Sequence, residues 1–203
     1  TVHKYMNKEL NLCAVIMHSK LGYKTGKKNK IFDNLLNQNF TVDCKNKVWC
    51  TDFTYMRQPN GKFRYNCTIM DLFDRSAIAS VNSDYINTEL AIETLTEALK
   101  KEKPNNGILL HSDQGVQYTS WEFVNFCKDN GVIQSMSKAG CPYDNAPMER
   151  FYNTFKNCFY YRYTFESVEQ LDEMTKQYIN WYNYVRPHST NNYMTPMEFR
   201  YRA

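Results

Sequence analysis

The sequence predicts an α/β protein in which helices flank a mixed five-stranded sheet. Residues 48–81 contain three runs with the two-residue alternation of strands, and turn signals separate them. After residue 87, helical patterns alternate with two short apolar runs, as expected where strands are joined through helices. Together these observations predict the element order βββ-α-β-α-β-α-α.

The first three strands are expected to form an antiparallel meander. The run Val48–Met56 places Trp49 on one face and Asp52 on the other. The pair Asn60-Gly61 is a strong hairpin signal, because both residues tolerate the positive φ angles of a tight turn. The chain then returns through two further strands, Lys62–Met70 and Ser76–Val81.

Helices and strands alternate in the middle of the chain. The first helix ends in lysines that complement its dipole, and Pro104 stops it. The second begins at the capping-box pattern Thr119-x-x-Glu122 and ends at Gly131. The four predicted elements are a helix at Asn87–Lys103, a strand at Gly107–His111, a helix over 119–131 and a strand at Val132–Met136.

Two helices complete the prediction. Asp144 or Asn145 caps the first, with Pro147 tolerated in its opening turn. Ser167-x-x-Gln170 caps the second. Each helix carries a stripe of core residues: Met148, Phe151, Phe155 and Phe159 on the first, and Leu171, Thr175, Tyr178 and Tyr182 on the second.

We expect three parts along the chain. Residues 1–40 form a basic N-terminal segment or linker, with a short helix near Asn7–Ser19 and a flexible stretch to Phe40. Residues 41–165 form the core, and residues 166–203 a C-terminal helix and tail that pack on it. A basic arm beside an acidic core suits a nucleic-acid enzyme, and a solvated lysine-rich tail fits the same composition equally well.

Membrane, secretory and zinc-binding classes are not supported. No apolar run approaches the roughly 20 residues of a membrane span, and no signal peptide is recognisable. The seven cysteines form no C-x-x-C pair, which argues against a zinc site. We therefore expect reduced, mostly buried thiols in a cytoplasmic protein.

Three carboxylates indicate the chemistry: Asp52 in the first strand, Asp113 just after the fourth and Glu149 in the first turn of a helix. Singly, each is explained as a turn, cap or dipole residue. If strands one and four are neighbours, both aspartates reach one end of the sheet. Hard cations prefer carboxylate oxygens, and a two-metal clamp suits in-line displacement at phosphorus. We therefore predict that the three hold two Mg²⁺ ions, which Mn²⁺ can replace, for phosphodiester chemistry.

Three other residues are candidate DNA contacts. Lys156 follows Glu149 by two helical turns on the same face and can attract a phosphate, although a solvated surface lysine is the alternative. Asn145 falls on that face if it is already helical, and Tyr152 could stack on an unpaired base. His111 is expected to be structural rather than a metal ligand.

Five segments of the chain form a recognisable series: VWCTDFTYM, HSDQGVQYTS, GVIQSMSKAG, DNAPMERFYNTFK and YNYVRPHSTNNYMTPMEF. In that order they resemble the signature segments of bacterial insertion-sequence transposases, and more narrowly the large-reading-frame catalytic protein of the family related to retroviral integrases. The resemblance covers residues 30–203. The family usually has Asn-Cys where this chain has Cys141-Pro142, and an acidic residue near Cys158.

The resemblance implies an RNase H-like integrase catalytic core with a DDE triad at Asp52, Asp113 and Glu149, and transposon-end contact by Lys156. It implies 3′-end cleavage and strand transfer on bacterial nucleoid DNA, hence DNA transposition, integration and recombination. The implied partners are transposon ends with inverted repeats, target DNA, further copies of the chain and a small-reading-frame transposase protein. Residues 1–40 would be the remnant of a DNA-binding region.

Two alternatives remain open on the sequence. One is a cleavage-inactive remnant that only binds DNA or a transposase subunit. The other is an RNase H-like nuclease acting on RNA–DNA hybrids, which shares the fold and the metals and differs in its substrate.

Overall fold

The sheet of the protein is mixed and five-stranded, as predicted. The computed structural model describes residues 5–10, 30–58, 60–105 and 107–202. Its strands lie in the order β3-β2-β1-β4-β5, with β1 antiparallel to β2 and parallel to β4. The other two neighbouring pairs are β2–β3, antiparallel, and β4–β5, parallel. The strands are β1 Val48–Arg57, β2 Phe63–Asp71, β3 Ala77–Ser83, β4 Ile108–Ser112 and β5 Val132–Met136.

Helices connect and cover these strands. The α-helices are α1 Thr88–Glu102, α2 Val116–Thr119, α3 Trp121–Asp129, α4 Ala146–Cys158, α5 Val168–Tyr184 and α6 Pro196–Arg202. Short 3₁₀ turns occur at Pro142–Asn145, Tyr160–Arg162 and Ser189–Asn191. Near the N-terminus, Tyr5–Glu9 forms one π-helical turn. Most of the helix predicted near Asn7–Ser19 lies outside the described residues.

The cap of α3 differs from the prediction by one residue. Ser120, rather than Thr119, accepts the capping hydrogen bond, from the backbone N–H of Phe123 at 3.2 Å. Thr119 closes the short helix α2, and the chain becomes extended only at Ser120, where the φ and ψ angles suit an N-cap. The Ser167 cap of α5 is confirmed, because its hydroxyl accepts from the N–H of Gln170 at 3.1 Å.

The sheet is covered on both faces. On one face, α4 and α5 bury the predicted aromatic stripes against β1 and β2 around Cys50, Met70 and Phe155. On the other, α1 and α3 pack against the sheet around Trp49, with Leu95 and Phe123 fully buried. Because the consecutive residues Trp49 and Cys50 face opposite clusters, β1 is buried on both sides and is the rigid centre of the fold.

Residues 30–40 are packed against the core, in contrast to the flexible stretch that the sequence predicts. Leu36 is buried in the α4–α5 face of the core. The N–H of Leu35 donates to Ser135 Oγ at 2.9 Å, and the N–H of Met136 donates to the carbonyl of Asp33 at 3.2 Å. The polar composition concealed these partners because all of them lie about 100 residues further along the chain. The domain limits at 40 and 165 stay predictions.

One group of carboxylates is built into the fold around a single guanidinium, and we call it the Arg200 cluster. It consists of Arg200 with the acidic residues Asp71, Asp74 and Glu102. Arg200 Nη1 donates to Asp71 Oδ2 at 3.0 Å and also contacts Asp74, while Nη2 contacts Glu102. Burial, followed by the charge on Asp74, raises the pKa of Asp71. The cluster attaches α6 to the ends of β2 and α1.

Half of the cysteines within the described ranges are exposed, namely Cys44, Cys141 and Cys158, so the expectation of mostly buried thiols is wrong there. The six cysteines within the described ranges are free of disulfides. Those ranges also contain no helix with the length and apolar character needed to cross a bilayer.

Candidate active site

Asp52, Asp113 and Glu149 line one open cleft of about 610 Å³. The register of the sheet brings the two aspartates together, because Cys50 pairs with His111 in the parallel β1–β4 ladder and each aspartate lies two residues beyond that pair. Glu149 enters the cleft from the first turn of α4. The structure therefore places the three predicted carboxylates at one edge of the sheet.

Asp52 lies close enough to Asp113 and Glu149 for their charges to affect its pKa. Its carboxylate is half-buried and accepts a hydrogen bond from the N–H of Phe53 at 2.7 Å. Burial, then the charge on Asp113 and to a smaller degree that on Glu149, raise the pKa of Asp52 to about 8. Desolvation by the cleft walls also raises the pKa of Glu149, although its side chain is exposed.

A tight turn holds the carboxylate of Asp113. Its Oδ1 accepts from the N–H of Gly115 at 2.8 Å. A Cβ at position 115 would lie 2.9 Å from Asp113 Oδ1 and 3.0 Å from Gln117 Oε1. The backbone φ of Gly115 is −59°, which any residue can adopt. A Cβ here would therefore displace the side chains of Asp113 and Gln117 rather than strain the backbone.

Asp144 fixes the loop that leads to Glu149, and sequence reasoning assigned it a different role. Its carboxylate accepts from Asn34 Nδ2 at 2.9 Å, from Gln38 Nε2 at 2.7 Å and from the N–H of Lys138 at 2.9 Å. These bonds, led by the one from Gln38, lower the pKa of Asp144. Asp144 thus ties the packed segment 30–40 to the 3₁₀ turn before α4 and does not cap the helix. The only sequence signal for this was the cluster of amides over residues 34–39.

Asn145 lies in the cleft wall at the start of α4. Its side chain is buried and does not cap the helix; Nδ2 instead donates to the carbonyl of Thr51 at 3.1 Å. Its Oδ1 is buried with no hydrogen-bond partner among the described residues. Asn145 therefore joins α4 to the residue before Asp52 and keeps an acceptor for a water or ligand.

Tyr152 does not fit the base-stacking role that the sequence suggested. Its side chain is only 6% exposed, so the ring is enclosed by the core. The hydroxyl donates to the carbonyl of Asp52 at 2.9 Å. The aromatic spacing of α4 had already suggested that most of its rings belong to the core, and Tyr152 follows that rule. Its contact makes it a support for the backbone of Asp52.

Lys156 lies beside the cleft rather than in its wall. Its Nζ is 4.4 Å from the centre of the Tyr55 ring, within cation–π range. Burial lowers the pKa of Lys156, while its charge acts to lower the pKa of Asp52. The lysine is therefore half-buried, oriented and close enough to the carboxylates to interact with them electrostatically.

His111 is structural, as the sequence indicated. Its Nδ1 lies 2.9 Å from Ser135 Oγ and its Nε2 lies 3.1 Å from Ser137 Oγ, so both ring nitrogens have partners. Burial lowers the pKa of His111 to about 4, and the ring is neutral at pH 7. Within the described ranges, no three His, Cys, Asp or Glu side chains stand close enough together to form a finished metal site.

Comparison with known sequences defines the class of the protein. Models of a family described as integrase core domain match residues 42–142 and 130–196. The chain is 36% identical over 167 residues to the transposase for insertion sequence element IS904 of Lactococcus lactis, an alignment that covers 82% of this chain and 66% of that protein. An uncharacterized transposase-like protein of Haemophilus influenzae is 35% identical over 178 residues, covering 86% and 80% of the two chains. The chain belongs to the insertion-sequence transposase family.

Comparison with solved structures defines the fold. The HTLV-2 integrase catalytic core domain in complex with magnesium, in its trimeric form, superposes with a TM-score of 0.60 at 15% sequence identity. The match covers 77% of this chain and 97% of that domain. The fold is therefore RNase H-like, as the resemblance implied. The chain spans just under two thirds of the IS904 transposase.

Proposed function

We propose that the chain is the catalytic domain of a DDE transposase, which cuts DNA 3′ ends and transfers them to a second DNA. One observation carries this: in a member of the insertion-sequence transposase family, Asp52, Asp113 and Glu149 line a single cleft although β1, the end of β4 and α4 supply them separately. The reaction would take place at transposon ends with inverted repeats and would produce DNA transposition, integration and recombination.

The donor set of the cleft fits divalent cations. All three groups are hard oxygen donors, which Mg²⁺ prefers and Mn²⁺ accepts. Asp113 and Glu149 raise the pKa of Asp52 through their charge, and a cation would relieve this repulsion. The similar HTLV-2 core was determined in complex with magnesium. We assign Asp52, Asp113 and Glu149 as ligands of two ions, which when bound activate the attacking oxygen and stabilise the leaving oxygen.

The remaining residues preorganise the carboxylates and the DNA. Tyr152 and Asn145 attach α4 to the carbonyls of Asp52 and Thr51, so the spacing between β1 and Glu149 is fixed before substrate binds. We keep Asn145 as a candidate DNA contact because the residue lies in the cleft wall. Lys156, oriented by Tyr55, attracts a phosphate as a point charge.

The working assembly includes more than one macromolecule. The HTLV-2 core was determined in a trimeric form, and a strand transfer requires two transposon ends and a target. We propose a homo-oligomer of this chain on transposon-end and target DNA in the bacterial cytoplasm, joined by a small-reading-frame transposase protein. The part of longer relatives that lies outside this alignment would supply end recognition.

The decisive experiment replaces Asp113 by Asn, which keeps the shape and removes the charge. Wild-type protein with Mg²⁺ or Mn²⁺ should convert a labelled duplex carrying the transposon end into a cut 3′ end and a strand-transfer product. The Asp113→Asn protein should lose activity by about 10³-fold, equal to roughly 4 kcal/mol in the barrier. Asp129→Asn, at an exposed carboxylate at the end of α3, is the control and should retain full activity.

Other outcomes would redirect the assignment. Equal cleavage by wild-type and Asp113→Asn proteins would sink the proposed active site. A wild-type protein that binds the duplex but never cuts it would identify a cleavage-inactive remnant. Preferential cutting of RNA–DNA hybrids over transposon ends would identify a nuclease.

A further inference from the structure

A second pocket of about 290 Å³ lies beside the first turn of α4, separate from the catalytic cleft. Three arginines contribute to its wall: Arg75 after β2, Arg150 on α4 and Arg186 after α5. The hydroxyl residues Ser189 and Thr190 close one side. Three guanidiniums and two hydroxyls around one cavity form a set of hydrogen-bond donors suited to an anion.

Within the described ranges no carboxylate forms an ion pair with these guanidiniums, although the charges of Asp74 and Asp71 act on Arg75 from a greater distance. Ion pairs of arginine within the described ranges involve Arg64 and Arg200, and none involves the pocket arginines. Arg186 Nη1 lies 2.8 Å from His188 Nε2, and burial lowers the pKa of His188 to about 4, so the neutral ring accepts this bond. The pocket therefore retains its positive charge and has a positive potential.

Arg75 is held in place at a cost. Its φ angle is +64°, in the left-handed region that a residue with a side chain rarely adopts. Its Nη2 donates to the carbonyl of Phe40 at 2.8 Å, and burial lowers its pKa. A half-buried guanidinium without a counter-ion is unfavourable, and a bound anion would remove that penalty.

The position of the pocket identifies the anion. Glu149 lines the catalytic cleft and Arg150, the next residue of α4, lines the pocket, so the two cavities flank one helical turn about 100° apart. The first turn of this 13-residue helix also brings the positive end of its dipole to the pocket. An anion held here would lie beside the phosphodiester that reacts in the cleft.

We propose that this arginine pocket binds a backbone phosphate of DNA outside the catalytic cleft. The inference rests on the proposed function, in which DNA is the substrate. The planar guanidinium of Arg150 matches two phosphate oxygens at once, and Ser189 and Thr190 can donate to the same group. The pocket would position the duplex relative to Glu149 without reading its sequence.

The test measures binding of the full chain to a fluorescent transposon-end duplex in EDTA, where no cleavage occurs, from 50 to 200 mM salt. Arg150→Ala should reduce the slope of log affinity against log salt by about 0.9, the value for one lost phosphate contact. Arg150→Lys should keep the slope. Arg162→Ala removes an exposed arginine of the turn after α4 that does not line the pocket, and should leave the slope unchanged.

Equal slopes for wild-type and Arg150→Ala proteins would overturn the pocket while leaving the proposed function intact. A wild-type protein that binds neither this duplex nor one of random sequence would overturn both. A second measurement uses inorganic phosphate to ask whether the pocket binds a free anion. If phosphate raises the melting temperature of wild type but not of Arg150→Ala, and the DNA slopes are equal, then the pocket takes a free anion and the DNA assignment is wrong.

Discussion

The molecule contains two groups of three carboxylates that differ in how their charge is balanced. The Arg200 cluster holds Asp71 and Asp74 fully buried against a guanidinium. The catalytic group lines an open cleft, and within the described residues no lysine or arginine lies within ion-pairing distance of Asp52 or Glu149. The protein thus balances the buried negative charge of the Arg200 cluster with a side chain, whereas the proposed function assigns the charge of the cleft to bound cations.

The largest predicted effect is the loss of stability when Arg200 is removed from the Arg200 cluster. Arg200→Ala leaves buried carboxylates without a counter-charge and should lower the free energy of unfolding by about 3–5 kcal/mol. Urea unfolding followed by tryptophan fluorescence would measure this. Arg202→Ala, at an exposed position on the same helix α6, should change the stability by less than about 0.5 kcal/mol. Similar losses in the two variants would show that the cluster has no special role.

Single carboxylates of the two groups should have effects of opposite sign. At pH 7 in EDTA, Asp71→Asn should destabilise the protein by about 1–3 kcal/mol, because it removes a buried charge-assisted hydrogen bond to Arg200. Asp52→Asn should stabilise it by about 1 kcal/mol, because it replaces a carboxyl that must take up a proton on folding, its pKa being raised to about 8 by burial and by the charges of Asp113 and Glu149. Unfolding curves for both variants would decide the point, and effects of the same sign would abolish the distinction.

Added metal should act on only one group. With a dissociation constant of roughly 1 mM, 10 mM Mg²⁺ should stabilise the wild-type protein by about 1.4 kcal/mol, since it binds only the folded state. Calorimetry of the melting transition would detect this shift. Asp52→Asn should remove the shift, and Asp71→Asn should retain it. A shift that persists in Asp52→Asn would place the ion elsewhere.

The smallest expected effect tests the geometry of the cleft. Gly115→Ala should lower the cleavage rate about tenfold, because the added Cβ would displace the Asp113 carboxylate. The free energy of unfolding should change by less than about 1 kcal/mol, because the φ angle of Gly115 suits alanine. Gly107→Ala, whose Cβ would instead meet the carbonyl of Gly131 at 3.2 Å, should leave the rate of the folded enzyme unchanged. Equal rates for all three proteins would refute this role of Gly115.

That Asp52, Asp113 and Glu149 line one cleft could be predicted from the sequence, because the signals for their positions are local. Asp52 follows from an alternating strand, Asp113 from the end of an apolar run and Glu149 from a helix start. Parallel pairing of β1 and β4 then brings the two aspartates to one edge. Strand positions and the buried stripes of α4 and α5 were accessible for the same reason.

The remaining features depend on contacts between distant parts of the chain. The sequence around Leu36 contains no pattern that predicts its burial, because its hydrogen-bond partner Ser135 is 99 residues away. The spacing of Tyr152 along α4 is that of a core residue, whereas its closeness to Glu149 suggested a base-stacking residue. Only the packing of α4 on β1 shows that it belongs to the core. The acidic partners of Arg200 precede it by 98 to 129 residues, so the periodicity of the sequence gives no indication of the cluster.

The position of Arg200 in the chain also affects biosynthesis. All its acidic partners, and all five strands, are translated before it. While residue 200 is still inside the ribosome, Asp71 and Asp74 lack the counter-charge of Arg200. A chain terminated before residue 200 would therefore be less stable and more readily degraded by cellular proteases.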